Sequence, residues 1–186
     1  MNLWFRLFWY LVSLPWRAAL RLPEDVSKLR FRVLPLDFDT SLHLNNGRYL
    51  ALMDLGRFDL IASGGLLRSA IKHRWTPIAN SVVIRFRQEL RFWALFELRT
   101  RIIAWRDRDV VIEQVFVALS GKRAGQVAAR ALFVGGLYDR GTKSFVEISR
   151  LMQEIGVTRE SPRMPDEAKD FLASVDSLRA ADRVSS

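Results

Sequence analysis

The stretch Asp37-Phe38-Asp39-Thr40-Ser41-Leu42-His43-Leu44-Asn45-Asn46 decides how the rest of the chain is read. It gathers two carboxylates, a histidine and two carboxamides between segments of apolar, periodic sequence. Behind it, Tyr49, Leu50, Met53, Leu60 and Ile61 supply one face of a helix expected from Asn45 or Asn46 to about Ser63, closed by Gly64-Gly65. Gly56 falls inside that helix and weakens it slightly. Ahead of it, Leu29, Phe31 and Val33 alternate with Lys28, Arg30 and Arg32, which marks a strand over 27–34. The stretch from Pro35 to Asn45 between them, rich in turn formers, reads as loop.

Downstream, the pattern changes to long strands, expected over 81–90, 95–105, 110–119 and 126–138. Arg106-Asp-Arg-Asp109 and Ser120-Gly-Lys-Arg123 are the turn signals between them. Two further helices are expected over 144–155 and 165–180. One strand, one central helix and four long antiparallel strands imply an α+β fold in which a curved sheet wraps around that helix. The chain divides into an N-terminal segment (1–22), one core domain (23–140) and a C-terminal helical extension (141–186).

Composition narrows the chemistry. A chain of 186 residues with 49% hydrophobic content supports one good core. There is no cysteine, so disulfides, thiolate metal sites and a cysteine nucleophile are excluded. With only two histidines, His43 and His73, no histidine metal centre is expected and no metal is assigned. No G-x-S-x-G elbow, Walker loop or G-x-G-x-x-G occurs. The net charge of +9 suits anionic partners such as acidic lipid headgroups or a phosphate-bearing cofactor. Charge alone, with no motif behind it, leaves no nucleic-acid partner expected.

Residues 1–22 read Met-Asn-Leu-Trp-Phe-Arg-Leu-Phe-Trp-Tyr-Leu-Val-Ser-Leu-Pro-Trp-Arg-Ala-Ala-Leu-Arg-Leu. On a helix, Asn2, Arg6, Ser13, Arg17 and Arg21 share one arc, with Trp4, Phe5, Phe8, Leu11, Val12 and Trp16 outside it. The uncharged run between Arg6 and Arg17 falls short of the ~20 residues a span needs, and Pro15 kinks or ends the helix. Arg6 inside the apolar run and bulky residues where a cleavage site needs small ones speak against a secretory signal. The segment therefore reads as an amphipathic anchor on an anionic membrane surface, its arginines snorkelling to headgroups. The following domain would lie on the cytoplasmic side, peripheral or N-terminally anchored. Packing of the same helix on its own domain or on a dimer partner remains the alternative.

The central cluster offers three chemical resources. Asp39 is a carboxylate suited to nucleophilic or general-base work. The helix beginning near Asn46 presents backbone N–H groups and a positive dipole end to a developing oxyanion. His43, Asn45 and Asn46 add side-chain donors. On chemistry alone the structural explanation is the more economical: Asn45 is a good N-cap, and Asp37 and Asp39 are ordinary loop residues.

The pattern Asp-x-Asp-x-x-x-His-x-Asn-Asn-x-x-Tyr-Leu, from Asp37 to Leu50, resembles that of 4-hydroxybenzoyl-CoA-thioesterase-like hotdog proteins. Met53-Asp54-Leu-Gly-Arg57 follows at the matching place. The runs from Glu97 to Trp105 and from Glu113 to Val117 are similar to the branch called thioesterase superfamily member six. The resemblance covers about residues 28–138. It implies a hotdog fold and hydrolysis of an acyl-CoA, with coenzyme A part of the substrate and no separate cofactor. Asp39 would then be the catalytic carboxylate, and the Asn46 amide would polarise the thioester carbonyl. His43 would support catalysis, and Asp37, Asn45 and Tyr49 would bind the substrate, Tyr49 packing beneath the site. Leu42 departs from the pattern, because many active relatives carry glycine before the histidine. A homodimer or higher homo-oligomer is implied in the same way. A non-catalytic acyl-binding protein and an acyl-carrier-protein thioesterase are the alternative functions. Asp54 and Arg57, three residues apart, suit an ion pair better than catalysis.

Overall fold

The computed structural model describes residues 2–38 and 42–184. An N-terminal helix, α1 (Asn2–Ser13), ends in a 3₁₀ turn at Leu14–Trp16 that contains Pro15. Strand β1 (Ser27–Arg32) leads through the loop to α2 (Asn46–Ser63) and then to α3 (Leu66–His73). Four long strands follow: β2 (Trp75–Phe86), β3 (Leu95–Arg106), β4 (Asp109–Ala118) and β5 (Val127–Asp139). A two-residue β6 (Ser144–Phe145), α4 (Ile148–Glu154) and α5 (Asp166–Val184) complete the chain.

The sheet is antiparallel in the order β1-β3-β4-β5-β2, with β6 paired to the end of β5. It curls around α2, which buries Tyr49, Leu52, Met53, Leu55 and Leu60. This is the hotdog arrangement. Burying these side chains is the main stabilising term, at about 1.5–3 kcal/mol for each large one. Gly56 is what lets helix and sheet approach so closely. A Cβ there would lie 2.5 Å from Thr100 Oγ1 and 2.9 Å from Gln114 Nε2. The slight cost to helix propensity is thus the condition for packing.

Two differences from the sequence reading have physical causes. Strand β2 begins at Trp75, six residues earlier than expected, and runs through Pro77. Proline is tolerated because β2 pairs only with β5 and is an edge strand. The short helix α3 was not among the expected elements, since its periodicity spans only eight residues. It forms because Leu66 and Ala70 are buried against Leu60, Trp75 and neighbouring core side chains.

The N-terminal helix is amphipathic as read, but it is mounted the other way round. Arg6 Nη2 lies 2.5 Å from Asp37 Oδ2 and also donates to the carbonyl of Arg32 at 2.8 Å. Burial lowers the pKa of Arg6, and Asp37 partly offsets that. Tyr10 donates to Asp59 Oδ1 at 2.9 Å, and Arg17 Nη2 donates to Asp59 Oδ2 at 2.9 Å. Burial, then the bond to Asp59, pushes the Tyr10 phenol up. Arg6 and Arg17 therefore do not snorkel away from the domain; they bind α1 and the turn after it onto the domain. The exposed face is the apolar one, where Trp4 is 74%, Trp9 66% and Trp16 81% accessible. Among the described residues no helix is long and apolar enough to cross a membrane.

Candidate active site

The decisive loop is held at both ends. Val33 is fully buried and anchors the exit of β1, and Pro35–Asp37 forms a 3₁₀ turn. Phe38 makes a β-bridge with Leu44, and the Asn45 amide donates to the Asp37 carbonyl at 2.9 Å. Phe38 also packs edge-on against Phe92. On the other side, the Leu44 amide donates to the Leu90 carbonyl, and His43 bridges to Arg91. Phe38 and the His43–Asn45 stretch are thus held together beside the start of α2. Asp39 belongs to the segment between them and lies outside the described residues.

Asn45 is the N-cap. Its side chain accepts from the Gly47 amide at 2.8 Å, the ordinary way to satisfy an orphan donor at a helix start. Asn46 follows as the first helical residue and is exposed. Among the described residues nothing accepts from the Asn46 amide. An eighteen-residue helix therefore presents its positive end, with this N–H, beside Phe38 and Leu44.

The other expected residues fall into different roles. His43 is half-buried, its Nδ1 only at the limit of hydrogen-bond reach, 3.5 Å from the Leu44 carbonyl. Tyr49 lies one turn inside the helix, buried edge-on between Phe86 and Phe116, and burial pushes its phenol up to about 12. Asp37 is 2% exposed; its carboxylate faces Arg6 and takes the Leu34 amide at 2.8 Å. It positions the loop from within the fold. Leu42 stands at φ 57°, in the left-handed region that favours glycine. The backbone conformation a glycine would suit is therefore kept, at a cost of about 1–2 kcal/mol.

Further along α2 the sequence reading left a polar group unremarked. Gln114 sits fully buried on the concave face, donating to the Met53 carbonyl at 2.9 Å and to Thr100 at 3.1 Å. Its Oε1 accepts from Arg57 at 2.8 Å, and Arg57 also pairs with Asp54. The Arg57 guanidinium lies 4.0 Å from the centroid of Phe133. Burial lowers its pKa, with Asp54 opposing. The signal was legible, since Gln114 interrupts the apolar face of β4 between Ile112 and Phe116. Next to this group a cavity of about 270 Å³ opens between α2, α3, α4 and the sheet.

Comparison with known proteins supplies the family. A family model described as thioesterase-like superfamily matches residues 33–172. Protein THEM6 of Xenopus laevis is 33% identical over 158 residues, covering 82% of this chain and 72% of its own. The probable thioesterase YbaW of Escherichia coli superposes with a TM-score of 0.63 at 19% identity, over 70% of this chain and 96% of its own. A 4-hydroxybenzoyl-CoA thioesterase mutant in complex with 4-hydroxybenzoyl-CoA gives 0.63 at 13% identity, over 70% and 97%.

Proposed function

The chain belongs to the thioesterase-like superfamily, and from that premise we propose that it hydrolyses a fatty acyl-CoA to the free acid and coenzyme A. The observation that carries this reading is the Asn46 amide, open at the start of α2 beside the pinned ends of the loop. A thioester carbonyl oxygen bound there gains stabilisation as negative charge develops on it. Asp39, from the same loop, takes the role of general base or nucleophile. In the general-base form it removes a proton from water as the water oxygen bonds to the carbonyl carbon. The tetrahedral oxyanion then collapses, the C–S bond breaks, and coenzyme A leaves as a thiolate that takes up a proton. His43 and Asn45 hold the loop and cap that frame this geometry, and Tyr49 supports it from beneath.

Thiol release from a panel of acyl-CoAs tests the proposal. Asp39→Ala is expected to lower kcat by about 10²–10⁴-fold. Equal rates in wild type and variant would remove Asp39 from the mechanism.

Two associations go with this reading. Strand β2 has an unpaired edge and exposes Val82, Val83 and Phe86, which suits antiparallel pairing with a second copy into a homodimer. The outward face of α1, rich in tryptophan and phenylalanine, suits the headgroup region of an anionic bilayer.

A further inference from the structure

The cavity behind α2 is lined by apolar groups except for Asp54 and Arg57, which stand together on its α2 side. Leu60, Ala70, Ile78, Ile112, Ile148 and Met152 are among its walls. Gly135, in the same sheet register as Phe133 and Leu137, brings no side chain to the floor. Space of this kind in a close-packed core is costly to leave open, and a mostly apolar lining gives water few partners there.

Its position relative to the Asn46 amide is given by α2 itself. Gly47, Leu50, Ala51, Asp54 and Phe58 follow one another along a single helix face. Leu50 on that face is 42% accessible and Asp54 is exposed, so the path is open to solvent. From Asn46 to Asp54 is eight residues, or about 12 Å at ~1.5 Å per residue. An extended chain advances about 3.5 Å for every three bonds, so roughly ten carbons reach the cavity mouth. Beyond that mouth the cavity offers further apolar room for the end of a longer chain.

We propose that this cavity is the distal acyl subsite and that it selects long-chain substrates, well beyond the roughly ten carbons that reach its mouth. The proposal rests on the thioesterase reading for the position of carbon one. Chains of six to eight carbons end on the open face of α2 and gain nothing from the cavity. Longer chains bury their ends there, and each buried methylene strengthens binding about fourfold.

The test measures thiol release and calorimetric binding for hexanoyl-, decanoyl-, palmitoyl- and stearoyl-CoA at sub-micellar concentrations. Wild type is compared with Ala70→Phe and Ala79→Phe, which fill the cavity from α3 and from β2. The expected result is a palmitoyl-to-hexanoyl ratio, in kcat/KM and in affinity, that falls about tenfold or more in each folded variant. A ratio that does not move in either variant overturns the proposal, as does a wild type indifferent between six and sixteen carbons. Length-dependent binding that is lost in the variants, with no thiol released by wild type at any length, upholds the subsite and overturns the thioesterase reading instead.

Discussion

Helices α1 and α5 are both accessory elements laid on the same domain, and they differ in how much buried charge holds them there. Helix α5 buries Ala168, Leu172 and Val175 against Val111 and Val134 on the outer face of the sheet. Its charges stay at the rim, where Arg179 pairs with Asp109 and Arg130 with Glu167. Helix α1 adds buried charge to its apolar contacts. Leu3, Leu7 and Tyr10 pack on the core, Arg6 and Tyr10 are met by the buried carboxylates of Asp37 and Asp59, and its tryptophans face outward. On α5 a single large apolar side chain among the described residues, Leu178, stays exposed, whereas α1 leaves Trp4, Phe5, Phe8 and Trp9 exposed, and contiguous patches of that kind mark interaction sites.

The comparison can be broken at its polar side first. Asp59 is wholly buried and accepts from Tyr10, Arg17, Ser27 and Ser63. Asp59→Ala leaves Arg17 and the hydroxyls unmatched, and a loss of about 3–5 kcal/mol is expected in urea unfolding. Hydrogen exchange in α1 should rise at the same time. If stability and exchange both stay unchanged, the ionic attachment of α1 is refuted.

On the apolar side, Leu172→Ala should cost about 2–4 kcal/mol through the cavity left under α5. Any binding to anionic vesicles should not change, because the face proposed for it lies on α1. The smallest effect on stability is expected from the outward face of α1. The double substitution Trp4→Ser with Phe8→Ser should move stability by less than about 0.5 kcal/mol. Its partitioning onto anionic phospholipid vesicles should nevertheless fall at least about tenfold. Unaltered partitioning would show that this face serves another partner.

Several residues show where reading the chain in one dimension stops. Asn45 as cap, Asn46 as helix start and Gly64 as helix end were legible, because capping is a local matter of a few consecutive residues. So was the pairing of Asp54 with Arg57, one helical turn apart. Gly56 was legible only as a weak point; that it sits against Thr100 and Gln114 requires knowing which strands face the helix. Asp37 read as a candidate contact to substrate, and it is the partner of Arg6, thirty-one positions away. Nothing local encodes that pairing.

What the sequence by itself determined is the order of the long strands and the central helix, the loop that enters that helix, and the family whose pattern the loop carries; α3 and the short strand β6 were not foreseen. Periodicity and capping depend on near neighbours, so they survive without coordinates. Tertiary structure alone decided which way α1 faces, that β2 runs as an edge through Pro77, and that a cavity lies beyond Arg57. Each depends on side chains brought together from distant parts of the chain, where burial sets the cost of every unpaired charge and every empty space.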